Sequence, residues 1–281
     1  MEIRIDDDFD LKKIVDSGQC FRPREVETGL FRFIVGENIL HIRERGDNLF
    51  EADCSAEDWE RVWKNYFDLA TNYADIRRDI ETFAAGKPYE KILHDATEFG
   101  KGIRILNQAP FEMLISFIIS QRKNIPSIRS SVEKICARFG RRGKAIRNEE
   151  LGIRNVDDVY LFPHVEEFTE DLTGLGLAYR KDYIKDALQK ISGGEIDLTS
   201  LKNFSDEELV DELKKIKGVG DKVANCVALF AYHRVNRAPV DVWIKRAIDE
   251  DFNGENIFEA FGANAGILQQ YIFYNKRNNH G

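Results

Sequence analysis

Leu213-Lys214-Lys215-Ile216-Lys217-Gly218-Val219-Gly220-Asp221-Lys222-Val223-Ala224-Asn225-Cys226-Val227-Ala228-Leu229-Phe230 is the stretch that decides the fold. Apolar residues recur at helical spacing on either side of Lys217-Gly218-Val219-Gly220, so the stretch reads as two helices joined by a tight hairpin. The glycines permit a sharp turn and let backbone approach a partner closely. Free N–H groups of such a turn, with the N-terminus of the next helix, form an anion site suited to a DNA phosphate. It is not a nucleotide-binding P-loop, because Gly-x4-Gly-Lys-Ser/Thr spacing is absent. A Gly-x-Gly turn alone is weak evidence, but between helices of this polarity it favours DNA-backbone binding over a plain turn.

Lys222 lies in the first turn of the second helix. The positive helix end disfavours an ammonium there, as burial would, and a neutral amine is what a nucleophilic lysine needs. By position alone, a surface lysine on a DNA-facing helix remains open. Asp241 follows Pro239-Val240 and opens another helix, where a carboxylate serves as an N-cap. The two residues start consecutive helices joined by one reversal at about residues 233–238, a connection that can bring both to one end of a helical body. A carboxylate there can orient the amine and stabilise positive charge developing on a sugar.

Working outward, the chain is helical from about residue 100. Residues 111–121 read as a buried helix, and 126–139 as another ended by Gly140. Residues 179–191 are amphipathic and stop at Gly193-Gly194. Ser205 to Glu208 resembles a capping box for a helix over 207–216. Helices follow over about 221–232 and 265–275. The first hundred residues differ. Strands are expected over 30–35, 39–43 and about 49–54, with turns at Gly36-Glu37-Asn38 and at residues 45–48. Ser55, with Asp58 three residues on, caps a helix carrying Trp59, Val62, Trp63 and Phe67. The expected class is α+β: a small antiparallel sheet domain over 1–100, then a mainly helical domain over 101–281 with the hairpin at 213–230.

Composition narrows the function. The 281 residues are 43% hydrophobic, ordinary for a globular protein. Nothing approaches the roughly 18 apolar residues of a membrane span, and the acidic start Met1-Glu2-Ile3-Arg4 lacks the pattern of a signal peptide. A soluble protein is expected, cytoplasmic or nucleoid-associated if bacterial. Cys20, Cys54, Cys136 and Cys226 are far apart, which argues against zinc, a redox pair or a four-cysteine iron–sulfur loop. No catalytic metal is expected. The net charge of −8 is segregated: residues 1–100 carry 14 basic and 23 acidic side chains. Residues 101–147 carry 11 basic and 2 acidic, and residues 213–246 carry 8 and 2. Such basic faces can neutralise phosphates on an acidic protein, or they can simply be solvated helix faces.

At this point the sequence resembles the helix-hairpin-helix DNA glycosylases with a glycine/proline-rich loop and a downstream aspartate. Gly218 to Cys226, then Val240-Asp241-Val242, is similar to the 8-oxoguanine DNA glycosylase branch, which has a lysine at the place of Lys222 and a cysteine four residues later. Ser17-Gly18-Gln19-Cys20-Phe21-Arg22 resembles the family's N-terminal motif, whose glycine carbonyl reads the N7 hydrogen of the oxidised base. Leu175 to Arg180 resembles the segment that puts an aromatic wedge and an arginine into the duplex, here Tyr179 and Arg180. Ala265 to Gln269, with Phe273, resembles the helix that reads the Watson–Crick edge and stacks on the flipped base. Two departures stand out. Trp243 occupies the place of a usual histidine, and Arg122, in Ser120-Gln121-Arg122-Lys123-Asn124, that of a gap-filling asparagine. The opposite-base arginine expected near Ser127 is absent, which leaves preference for the opposite base open.

The resemblance implies a glycosylase with lyase activity on oxidised purine in duplex DNA. Lys222 would be the nucleophile and Asp241 its partner carboxylate. Gly18, Cys226, Phe230, Gln269 and Phe273 would line the base pocket, and Arg122, Asn124, Tyr179, Arg180, Trp243 and Lys217-Gly218-Val219-Gly220 would touch DNA. Hairpin carbonyls could hold a monovalent cation, and the iron–sulfur loop of endonuclease III-like relatives is missing. The partner would be double-stranded DNA carrying a damaged base, bound by a monomer, with no membrane. Oxidised pyrimidine or alkylated bases as substrates, and a non-catalytic DNA-binding module, are the alternatives.

Overall fold

In the computed structural model, which describes residues 1–143 and 159–279, the N-terminal segment forms a five-stranded antiparallel sheet. Its strands are β1 (Glu2–Arg4), β2 (Arg24–Glu27), β3 (Leu30–Val35), β4 (Asn38–Gly46) and β5 (Leu49–Ala52), in the order β1-β5-β4-β3-β2. β1 and β2 escape the sequence pattern because they are short edge strands with charged residues on their exposed positions. β4 runs past residue 43, since its pairing with β5 continues beyond a register shift to Gly46 opposite Leu49. The hairpin between them turns on Asp47 and Asn48, both at positive φ, as a two-residue turn matched to strand twist requires.

A short helix, α1 (Leu11–Asp16), and a composite one cover this sheet. The latter comprises α2 (Ala56–Asp58), a π-helical stretch (Trp59–Trp63) and α3 (Lys64–Tyr66). Ser55 Oγ accepts from Asp58 N–H at 3.0 Å, which starts it where the sequence indicates. Trp59, Trp63 and Phe67 are buried with Phe33, Leu40 and Ile42 in the sheet's own core.

The helical body comprises α4 (Tyr73–Ala84), α5 (Glu90–Gly100), α6 (Pro110–Ser120), α7 (Ile125–Phe139), α8 (Arg180–Ser192), α9 (Asp206–Lys214), α10 (Asp221–Ala231), α11 (Val242–Glu250), α12 (Ile257–Phe261) and α13 (Ala265–Asn279). Their ends follow caps rather than hydrophobic spacing. Pro110 opens α6, Asn124 caps α7, and a Ser205/Glu208 capping box opens α9. α13 outlasts the apolar pattern because Lys276 in its last turns is buried in an ion pair with Asp251. No helix among the described residues is long and apolar enough to cross a membrane.

Hydrophobic packing does not follow the expected boundary at residue 100, since Phe21 packs in the helical core and Leu106 in that of the sheet. α4 and α5 contribute Ile76, Ile80, Leu93 and Ala96 to the core of the helical body, not to that of the sheet, and α5 packs along α13. The apolar faces of these two helices do not reveal from sequence which core they serve.

Arg104 is fully buried near the junction of the two cores. Its Nε donates to Phe67 O at 3.0 Å, Nη1 to Asp7 Oδ2 and Asp8 O, and Nη2 to Asp68 O and Thr71 O. Replacing such a group strands several buried acceptors. We expect Arg104→Met to lower unfolding free energy by about 3–5 kcal/mol in chemical denaturation; a loss under 1 kcal/mol would show that the junction does not depend on it.

Candidate active site

The hairpin's second helix, α10, begins at the N-cap Gly220 and carries Lys222 in its first turn. The chain then reverses, with Arg234 N–H donating to Ala228 O at 2.9 Å, and buried Pro239 precedes Asp241 at the start of α11. One Asp241 oxygen accepts from Trp243 N–H at 3.0 Å and Ile244 N–H at 2.9 Å, so the N-cap fixes the carboxylate. Burial raises its proton affinity above the ordinary carboxylate range, against the opposing pull of the Ile244 amide, the Lys222 charge and the Trp243 amide. Cys226 lies one turn on from Lys222; burial pushes its thiol up, and the Lys222 charge opposes the shift. Lys222 Nζ stands 5.3 Å from the Phe117 ring centroid.

Beside this pair lies a slot of about 50 Å³ lined by Gly18, Cys226, Phe230, Gln269 and Phe273 together with Phe117. Phe117 and Phe230 stack with centroids 5.6 Å apart. Lys222 and Asp241 line both the slot and an adjoining cleft of about 930 Å³. The expected pocket residues are therefore brought together, from segments as distant as Gly18 and Phe273. Gly18 has φ +84°, and a Cβ there would meet Phe273 Cε1 at 2.9 Å, so glycine serves both the turn and the approach of the ring. Neighbours hold it: Gln270 Nε2 donates to Ser17 O at 2.7 Å, and Gln19 Nε2 donates to Arg104 O at 2.8 Å. Gln269 is buried, yet its Oε1 has no hydrogen-bond partner among the described residues.

The cleft is basic. Arg122, Lys123, Lys245 and Arg277 line it, with Trp243. Arg122 is exposed at φ +52°. Asn124 is also exposed, but its Oδ1 accepts from Ser127 N–H at 2.9 Å and is spent on capping α7. Trp243 is half-buried, with the Arg246 guanidinium 5.6 Å from its ring. Val242, 77% exposed, stands beside Asp241 as an apolar shoulder.

At the hairpin, Gly218 has φ +79°. Lys217 N–H is taken by Asp186 Oδ2 at 2.7 Å and Val219 N–H by Ile216 O at 3.0 Å, while the Val219 side chain is buried in the core. Lys217 and Val219 therefore do not offer free amides as the hairpin argument expects; Gly218 and Gly220 are exposed and outside those bonds.

Arg180 is the clearest correction. It is 4% exposed and donates to Gln121 O and Leu177 O, so here its guanidinium is spent on the protein's own carbonyls rather than presented to a duplex as the resemblance implies. Tyr179, 44% exposed, remains available. The basic segment 101–147, open between a phosphate-binding face and solvated helix faces, divides: Arg122 and Lys123 line the cleft, and other cations hold the fold. Arg104 is internal, Arg129 donates to Val15 O, Arg138 to Thr173 O, and Arg141 pairs with Glu37. Lys144 and Arg147 lie outside the described residues.

Sequence reasoning missed Phe117, Lys123, Lys245, Gln270 and Arg277. The apolar run of α6 predicts burial for Phe117 but not which face borders a cavity. Gln270 beside Gln269 was a signal, since two adjacent amides on an otherwise apolar helix face need partners. Arg277 Nη2 donates to Asp16 O while Nη1 has no partner, and burial lowers its proton affinity.

Comparison with known proteins supplies independent findings. Residues 2–114 match the family described as 8-oxoguanine DNA glycosylase, N-terminal domain. The fold superposes on MBOgg1 in complex with a low-affinity DNA ligand at TM-score 0.88 and 33% identity, covering 100% of this chain and 96% of that one. It matches the Clostridium acetobutylicum 8-oxoguanine glycosylase/lyase, in complex with double-stranded DNA containing cytosine opposite 8-oxoG, at TM-score 0.87 and 32% identity, covering 100% and 99%. The Saccharomyces cerevisiae N-glycosylase/DNA lyase is 34% identical over 54% of this chain, and the match spans 42% of that protein's length.

The Asp241 environment has a consequence for stability. Its carboxyl is raised relative to the unfolded chain, so the native state holds the proton to higher pH. Stability is therefore lost as pH rises through the window from about 3.8 to the folded value. Asn caps helices as well as Asp does. Asp241→Asn is expected to leave the melting temperature unchanged or higher at pH 7, with its advantage shrinking as pH falls through that window; a lower melting temperature at pH 7 would contradict the sign.

Proposed function

The chain belongs to the helix-hairpin-helix family of 8-oxoguanine DNA glycosylases/lyases, and from that premise we propose that it excises oxidised purine, 8-oxoguanine foremost, from duplex DNA and then nicks the strand in base excision repair. The observation that carries this is the shared wall: Lys222 and Asp241 stand between a slot and a wide basic cleft. A nucleophile and a charge-stabilising carboxylate are needed at just that boundary, where a base leaves the stack and its sugar stays with the backbone.

The chemistry runs through these side chains. Arg122 and Tyr179 fill the vacated stack, while Gly218 and Gly220 amides at the positive end of α10 hold a phosphate. The Lys222 amine attacks the sugar C1′. The new N–C1′ bond forms as the glycosidic bond breaks, and its electron pair leaves with the base. Asp241, held by two amides, stabilises the cationic sugar in that transition state. The amine gives up a proton and the departing base gains one; the nitrogen lone pair then expels O4′ from C1′, opening the sugar ring to a Schiff base that acidifies the C2′ hydrogen, and β-elimination expels the 3′ phosphate.

Recognition draws on an unfinished hydrogen bond. A buried carbonyl without a partner costs about 1–3 kcal/mol, and Gln269 Oε1 is such a group. A guanine edge supplies N–H donors to it, while the Gly18 carbonyl accepts the N7 hydrogen peculiar to the oxidised base. The slot of about 50 Å³ is well below the roughly 300 Å³ of small ligand sites, so its walls must open for a base to enter. The partner is double-stranded DNA with a damaged base, engaged by one copy of the chain.

Borohydride is expected to trap a covalent complex on a duplex carrying 8-oxoguanine, and Lys222→Gln to abolish trapping; trapping that survives the substitution removes Lys222 from its role. Asp241→Asn is expected to slow excision roughly 100-fold or more. Excision from a panel of lesion duplexes tests the substrate: faster release of oxidised pyrimidine or alkylated bases overturns the oxidised-purine assignment, and binding without turnover on every lesion overturns catalysis.

A further inference from the structure

Arg180 donates twice to one acceptor, Gln121 O, through Nε at 2.8 Å and through Nη2, and once to Leu177 O through Nη1 at 3.3 Å. The same guanidinium lies 4.5 Å from the Tyr179 ring centroid. Lys123 makes a parallel link: its Nζ donates to Gly176 O at 2.7 Å and to Ser131 Oγ at 2.6 Å. Two loops distant in sequence, residues 121–124 after α6 and 174–179 before α8, are thus tied at two points by charge-assisted hydrogen bonds. Both loops hold conformations that are costly without support. Arg122 has φ +52° and Ala178 φ +51°, with Gly174 and Gly176 also positive. Burial and the neighbouring Arg180 charge lower the proton affinity of Lys123, so two cations are held side by side despite their repulsion.

We propose that Arg180 and Lys123 are positioning residues that fuse the two loops into one preassembled wedge, so that the exposed probes Arg122 and Tyr179 enter the duplex together. The proposal rests on the wedge role given to those probes above. Its physical basis is preorganisation: a loop ordered during folding does not lose that freedom again on binding DNA. With its guanidinium bonded to Gln121 O and Leu177 O, Arg180 acts through the loop it holds. The energy of entering a base stack is then resisted by the protein's own buried bonds rather than dissipated by a yielding loop.

The test uses Arg180→Met and Lys123→Met, which keep an unbranched apolar stem and remove the donors, with thermal melting to confirm folding. Excision is measured on a fully paired duplex with 8-oxoguanine opposite cytosine and on the same lesion already unpaired in a bulge. Both variants are expected to lose roughly 10- to 100-fold on the paired duplex and far less on the bulge, with a weaker 2-aminopurine signal for base extrusion. Arg180→Lys, retaining a donor to Gln121, is expected to recover part of the loss. An equal loss on both substrates, or one that varies with the opposite base, overturns the clamp; the latter would mean that Arg180 reads that base. Arg122→Ala and Tyr179→Ala run in parallel. If they too leave the paired duplex unaffected, the wedge role itself fails; if they slow it while Arg180→Met and Lys123→Met do not, only the clamp fails. Should Arg180→Met not fold, Lys123→Met and Arg180→Lys still decide.

Discussion

The buried Arg104 guanidinium is the constraint on which the pocket depends. It gathers acceptors from residues 7–8 and 67–71 while its own carbonyl receives Gln19 Nε2. Gln19 Oε1 in turn accepts from Leu106 N–H at 2.8 Å, and Gln108 Nε2 donates to Gln19 O at 3.0 Å. The loop bearing Gly18 is thereby fastened to the chain that enters α6. Buried polar networks of this kind are rigid when complete, because any displacement leaves a group desolvated and unpaired. A slot whose walls come from α6, α10, α13 and an N-terminal loop needs such a fixed junction.

Against that completeness, the slot is where local rules are relaxed. Gln269 Oε1 lacks a partner, the Asp241 carboxyl is held where burial disfavours its charge, and an arginine nitrogen beside Gly18 is unpaired. Departures of this sort concentrate at functional sites, with stability supplied elsewhere. Here the suppliers are the two hydrophobic cores and the Arg104 network. The Asp241 N-cap carries both roles at once, since the amides that start α11 are the ones that orient the carboxylate.

Much of the site was legible because its chemistry is punctuated by backbone geometry. Gly218-Val219-Gly220 announces a hairpin, and Pro239 with Asp241 announces a helix start, so the placement of Lys222 and Asp241 follows from two local rules. The resemblance added Gly18, Gln269 and Phe273, which share one slot in the structure. Legibility failed where a charged side chain has two possible destinations. Arg180 reads as a DNA-facing charge, yet it is buried on the Gln121 carbonyl, and Arg129 and Arg138 of the basic segment donate to Val15 O and Thr173 O. Arginine is suited to either use, because its stem packs on apolar surface while its fork satisfies carbonyls.

The sequence by itself determined the hairpin, the helix starts capped by Ser55, Ser205 and Asp241, the central sheet hairpins and the α+β class. These depend on φ preferences and side-chain hydrogen bonds a few residues away, which a linear pattern records. Only the tertiary structure decided that α4 and α5 serve the helical core, that Gly18 lies under Phe273, and which cations line the cleft rather than staple the fold. Those outcomes depend on which surfaces meet across more than two hundred residues, and a charge or an apolar face in the sequence does not specify its partner.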